Sequence, residues 1–269
     1  MTLDQALVLG VLQGATEFLP VSSSGHLALA QSWLPGWEGP RLLFDVVVHL
    51  GTLAAIALML RRRLWALAQA ALSYLPGRAR PNGNSVERRW LALIVLGSIP
   101  TVLIGLALHD PVVAMHLKPA SVGVALLVTA LVLVLSERIG KRTRGAEDLG
   151  ATDAVIIGLA QGLGVLPGIS RSGATIASAL WRDVRGDVAV EFSLLLSVPA
   201  VLGASLFEIH NSGLATVGAE FVPLLVGFVA AFMVGAVSIK ALQWVVAQHR
   251  LLPFAAYCAL LGAGAIILG

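Results

Sequence analysis

Apolar residues run through this chain in long blocks, with little of the spacing that would mark one buried face. Blocks at 42–60, 90–108, 119–136, 189–207, 221–239 and 251–268 are each near the roughly 20 residues a helix needs to cross a bilayer. They predict six spanning helices. Two further segments, 4–31 and 153–181, are interrupted by Gly, Pro and Ser, leaving arms of roughly 10 to 12 residues that are too short to cross alone. Each predicts a helix, a turn and a helix that dips into the membrane and returns. Irregular backbone at that depth is tolerated only where protein or a water-filled cavity covers it.

The two interrupted segments resemble each other. "GVLQGATEFLPVSSSG" (Gly10 to Gly25) aligns with "GLAQGLGVLPGISRSG" (Gly158 to Gly173), pairing Gln13 with Gln161, Ser22 with Ser170 and Gly25 with Gly173. The same offset pairs Phe44–Thr52 with Phe192–Ala200, where Gly51 and Pro199 predict matching interruptions. Hairpin plus three spans, then the same again, predicts one membrane domain over 1–269, with repeat one at 1–140 and repeat two at 150–269. The fold class expected is an all-α polytopic membrane protein with an inverted-topology repeat. Such repeats place functional sites where interrupted helices meet near the midplane, so the two polar tips should face each other.

Charge fixes an orientation. Fifteen of the 18 Lys and Arg residues sit in four loops, among them Arg61, Arg62, Arg63, Arg78 and Arg80; only Arg41 and Lys118 fall on the other side, and Arg171 lies inside a hairpin. The basic side is cytoplasmic by the positive-inside rule, which puts both chain ends outside and makes 137–148 a solvated cytoplasmic linker. Composition agrees: 57% hydrophobic and 12% charged, at a mean hydropathy of +0.87, is more apolar side chain than a soluble domain of this size buries. The net charge of +3 is accounted for by orientation, so no nucleic-acid partner is expected. "MTLDQALVLG" has no basic leader region, predicting no removable signal peptide. Cys258, the single cysteine, has no internal partner.

Glu17 and Arg171 are the charges deepest in the hairpins, and intramembrane charges mark candidate functional sites. A guanidinium flanked by Ser170, Ser172, Gly173 and Thr175 at a helix start combines fork donors, hydroxyls and backbone N–H groups, a set suited to phosphate. Opposite it, Gln13, Glu17 and Ser23 offer hard oxygen ligands for Mg²⁺ or Ca²⁺, and His26 offers a proton acceptor that titrates near neutrality. The bland reading is a buried Glu17–Arg171 pair that only joins the hairpins. Asp45 and His49, four apart on one helix, are placed to line the same cavity or merely to pack.

"QGATEFLPVSSSGH" and "PGISRSGAT", in this order on a membrane chain of this length, resemble the undecaprenyl-diphosphatase family of the bacitracin-resistance type. The resemblance implies that Glu17 acts with a divalent cation, Mg²⁺ or Ca²⁺, and Gln13, where many members carry a second glutamate, would assist as a weaker metal ligand. It implies catalytic roles for Ser23 and His26 in attack and proton transfer and for Arg171 in gripping the pyrophosphate. Ser22, Ser24, Gly168, Ser170, Ser172, Gly173 and Thr175 would bind substrate. The implied activity is hydrolysis of undecaprenyl diphosphate, a polyprenyl lipid, in the bacterial plasma membrane at a site open to the outer face. Whether Ser23 attacks or water does is left open, as is a homodimer. The rival reading is a lipid-phosphate transporter or flippase, since inverted repeats with broken helices are also a transporter pattern.

Overall fold

A computed structural model describes residues 1–34, 41–74, 85–116, 118–212 and 217–269. Twelve α-helices account for most of them: α1 (Leu3–Thr16), α2 (Ser23–Trp33), α3 (Arg41–Met59), α4 (Arg61–Leu72), α5 (Ser85–Ala107), α6 (His109–Met115), α7 (Pro119–Arg138), α8 (Ala151–Leu163), α9 (Arg171–Trp181), α10 (Gly186–Ser212), α11 (Val217–Ala247) and α12 (Leu252–Leu268). Four stretches, Val86–Ala107, Pro119–Arg138, Gly186–His210 and Glu220–Ala247, are long and apolar enough to cross a bilayer. The run predicted at 42–60 forms α3, which with α4 counts as a fifth although the two are bent by 85°. The run at 251–268 forms α12, whose 17 residues span roughly 26 Å at about 1.5 Å per residue, just under the bilayer core. Ile267, Leu260 and Val237, 81%, 76% and 68% exposed, face outward as lipid-facing side chains do. This is a multi-pass membrane protein.

Where helices cross, glycine sets the distance. A Cβ on Gly158 of α8 would lie 2.1 Å from the Gly97 carbonyl oxygen of α5, and one on Gly10 of α1 would lie 2.5 Å from the Gly227 carbonyl oxygen of α11. Small residues at such crossings let backbones approach, which is how helices associate where lipid removes the hydrophobic driving force.

Three sequence expectations change. Gly51 and Pro199 do not break their helices: α3 and α10 run through them. Gly51 is instead a contact point, since a Cβ there would sit 2.5 Å from the Phe228 carbonyl oxygen. The triple arginine is not loop but the first turn of α4; Arg78 and Arg80 lie outside the described residues. The linker 137–148 is pinned rather than free. Arg144 donates to both Asp153 oxygens at 3.1 and 2.6 Å, and these bonds raise its pKa above the ordinary arginine value. Arg89 donates to the Glu147 and Leu149 carbonyls at 2.7 and 2.5 Å. Charged side chains in a connector between helices thus tie it to the bundle, a role that hydropathy does not register.

Candidate active site

Each interrupted segment is a helix, a turn and a helix, and the two turns are built alike. Helix α1 ends with Glu17 at its C-cap, and the chain then turns through Ser22 at φ 67°, a left-handed value that costs a serine strain. The Ser22 hydroxyl caps α2 by accepting from Gly25 N at 3.4 Å. In the second segment Gly168 takes φ 100°, where a side chain would be strained, and the Ser170 hydroxyl caps α9 by accepting from Gly173 N at 3.0 Å.

The tips touch. Gly168 N donates to the Ser22 hydroxyl at 3.0 Å, the Ser172 hydroxyl donates to the Leu19 carbonyl at 3.1 Å, and Arg171 Nη2 donates to Glu17 Oε1. Glu17 is the centre of the resulting cluster. Its Oε2 accepts from the Ser23 hydroxyl at 2.5 Å and from Gln13 Nε2 at 2.9 Å, with His49 Nε2 at 3.6 Å. The Glu17 side chain is 2% exposed and that of Arg171 21%. The Arg171 guanidinium gives Nη2 to Glu17 and makes no other side-chain hydrogen bond among the described residues, so the rest of its fork is open to a ligand.

A cavity of about 480 Å³ opens at this cluster. Glu17, Ser22, Ser23, Ser24, Ser170 and Arg171 form its polar wall, with Asp45 and His49 beside them. The first turns of α2 and α9 both reach that wall, so two positive helix ends face one space. Val102, Leu106, Val165, Ile169, Val201 and Phe207 continue the cavity as an apolar channel. The cavity thus joins a charged, hydroxyl-rich wall to an apolar one.

The sequence profile of the bacitracin resistance protein BacA family matches residues 6–264. The chain belongs to this family. Undecaprenyl-diphosphatases are among the similar proteins: that of Syntrophotalea carbinolica is 44% identical over 97% of both chains, that of Desulforapulum autotrophicum 41% identical over 100% of this chain and 99% of its own, and that of Carboxydothermus hydrogenoformans 38% identical over 98% and 96%. All three carry an enzyme's name, which gives the transporter reading no support.

In this BacA-family chain, part of the predicted site stands behind the cavity wall. Gln13, His26, Gly168, Ser172, Gly173 and Thr175 do not line the cavity. The Thr175 hydroxyl is spent on the Arg171 carbonyl at 2.8 Å and on Ser193 at 2.5 Å, and Gly168, Ser172 and Gly173 shape the tips through the bonds above. His26 has both ring nitrogens engaged, Nδ1 with the Ser22 carbonyl at 2.8 Å and Nε2 with the Tyr257 hydroxyl at 2.7 Å, while its ring stacks on Tyr257. Conversely, the wall includes residues that no motif flagged: Thr101, His109, His116, Gln161 and Glu208. Only Gln161 left a signal, through its alignment with Gln13. His109 and His116 follow the end of an apolar run and read as an outer loop.

Proposed function

We propose that this BacA-family protein is an undecaprenyl-diphosphatase, which hydrolyses undecaprenyl diphosphate to undecaprenyl phosphate and inorganic phosphate and so returns a lipid carrier to cell-wall synthesis. One observation carries the reading: a serine hydroxyl 2.5 Å from a buried carboxylate, next to a guanidinium with free donors, at the polar end of a cavity with an apolar channel. Ser23 Oγ attacks the terminal phosphorus as Glu17 Oε2 takes its proton. The bond to the bridging oxygen breaks, undecaprenyl phosphate departs, and water then hydrolyses the serine phosphate, restoring Ser23. Arg171 and the N–H groups at the starts of α2 and α9 hold the phosphate oxygens, so that positioning and charge neutralisation do most of the catalysis. His26 acts from behind the wall by fixing Ser22, the residue before the nucleophile. The deciding experiment is phosphate release by the purified protein from a detergent-solubilised polyprenyl diphosphate. Release is expected in the parent; lipid binding without release by folded protein would overturn the assignment.

The residues also suit a divalent cation, Mg²⁺ or Ca²⁺. The Gln13 Oε1 atom is buried with no hydrogen-bond partner, and with its amide turned toward Glu17 it would complete an oxygen donor set of one negative charge. Among the described residues no three His, Cys, Asp or Glu side chains converge as a metal site, so a cation here relies on the substrate's own oxygens. When bound, it would neutralise charge on the diphosphate. Gln13→Glu is expected to lower the Mg²⁺ concentration for half-maximal rate; an unchanged metal curve for folded Gln13→Glu would remove Gln13 from the site.

The inverted repeat belongs to the same proposal. Exchanging the halves maps α1 onto α8 and α5 onto α11, and the extensive pairings α1 with α11 and α8 with α5 exchange accordingly. Gly10 and Gly158, equivalent in the alignment, both sit at those crossings, and the Ser22 and Ser170 caps are likewise equivalent. The basic loops then face the cytoplasm of a bacterial inner membrane and the site opens outward. Cysteines at Thr143 and Ala114, in a Cys258→Ala background, test this with an impermeant maleimide on intact cells. Only the second is expected to react; labelling of the first alone would invert the topology.

A further inference from the structure

Helix α4 departs from the bundle's pattern. Helix α3 ends at Met59, the chain bends by 85°, and α4 follows as a 12-residue helix. With α3 crossing the bilayer, α4 lies close to the membrane plane. Its residues sort into two faces. Leu67 and Ala70 are buried, and Arg63 on the same side donates to Glu87 at 3.1 Å, pairs with Glu191 at 2.9 Å and lies 4.6 Å over the Trp90 ring. The opposite stripe carries Trp65, 64% exposed, Ala68 and Leu72, 39% exposed, spaced as i, i+3 and i+7.

The three consecutive arginines are therefore divided. Arg63 is tied into the bundle. Arg61 donates to the Leu58 carbonyl at 3.2 Å, and neither Arg61 nor Arg62 has an acidic partner among the described residues, although both are exposed. Two unneutralised guanidinia beside an outward tryptophan, on a helix lying in the plane, match the chemistry of a lipid headgroup layer. Guanidinium takes phosphate through paired N–H bonds, tryptophan sits at the boundary between headgroups and acyl chains, and juxtamembrane cations favour anionic leaflets. Just after α11, Arg250 lies 5.6 Å over the ring of Trp244.

We propose that α4 is a docking surface for anionic phospholipid, with Arg61 and Arg62 on the headgroup phosphates and Trp65 and Leu72 in the acyl boundary. The inference rests on α3 spanning the membrane and is independent of the chemistry at Glu17. It is tested in nanodiscs of phosphatidylcholine carrying increasing fractions of phosphatidylglycerol, with the thermal unfolding midpoint as readout. Phosphatidylglycerol is expected to raise the midpoint of the parent by several degrees. In Arg61→Gln/Arg62→Gln the fraction needed for half the shift should rise about fivefold for each arginine lost, so that most of the shift disappears. Arg138→Gln/Lys141→Gln, an exposed basic pair elsewhere on the basic side, should keep it. An equal shift in the Arg61/Arg62 variant, a shift lost equally in both pairs, or no shift in the parent would overturn the proposal. A spin label at Ala68→Cys in a Cys258→Ala background reports separately: burial at headgroup depth supports docking, and free exposure to water overturns it. Phosphate release in detergent, measured alongside, should match the parent in both pairs; no release by the parent itself would count against the phosphatase assignment alone.

Discussion

Ser23→Ala is expected to lower phosphate release from polyprenyl diphosphate by roughly 10³- to 10⁶-fold, the range in which loss of a nucleophile leaves only binding and electrostatic contributions. The substitution is the cleanest available at this site. It removes one hydroxyl and its bond to Glu17 Oε2, a change of about 1–3 kcal/mol in stability, and it leaves Glu17 still bonded to Arg171 and Gln13. Glu17→Gln is less clean, because it strands the Arg171 charge in a mostly buried place and costs on the order of 3–5 kcal/mol. Unfolding would then mimic loss of catalysis. Single-turnover phosphate release by folded, detergent-purified Ser23→Ala decides the role. A rate within tenfold of the parent would mean that water is the nucleophile and that Ser23 only orders the carboxylate.

The sequence carried the site's ingredients better than its walls. Glu17, Ser23 and Arg171 were legible because each is costly in an apolar segment: a charge or an exposed hydroxyl persists at membrane depth only with a partner, so one sign in each hairpin points to contact between hairpins. The equivalence of Ser22 and Ser170 was legible from the alignment, and both prove to be helix caps. His26 was legible as a motif residue but not as one turned away from the cavity, because its direction is set by Tyr257, 231 residues later. Thr101, His116 and Glu208 reach the wall through the packing of α5, α6 and α10, which no local pattern encodes. Hydropathy also hid α4. A bend of 85° separates α3 from α4, and the basic loop expected there begins as three arginines on a helix.

Arg171→Lys is expected to lower the rate about 30- to 1000-fold while leaving the fold intact, which corresponds to roughly 2–4 kcal/mol of transition-state stabilisation. The structure sharpens this test. If Arg171 served only to join the hairpins, a lysine would still place a cation beside Glu17 Oε1, and both stability and activity would survive. If its remaining donors hold phosphate oxygens, lysine retains the ion pair and loses the planar fork, because an ammonium is a point charge that cannot grip two oxygens in fixed geometry. Stability and rate should therefore separate: a melting temperature close to the parent's, with phosphate release strongly depressed. Near-parental rates in a folded Arg171→Lys protein would return Arg171 to a structural role and leave the helix starts at Ser23 and Arg171 as the anion site. Parallel loss of rate and melting temperature would show instead that the geometry of the pair itself, not its charge, holds the two tips in register.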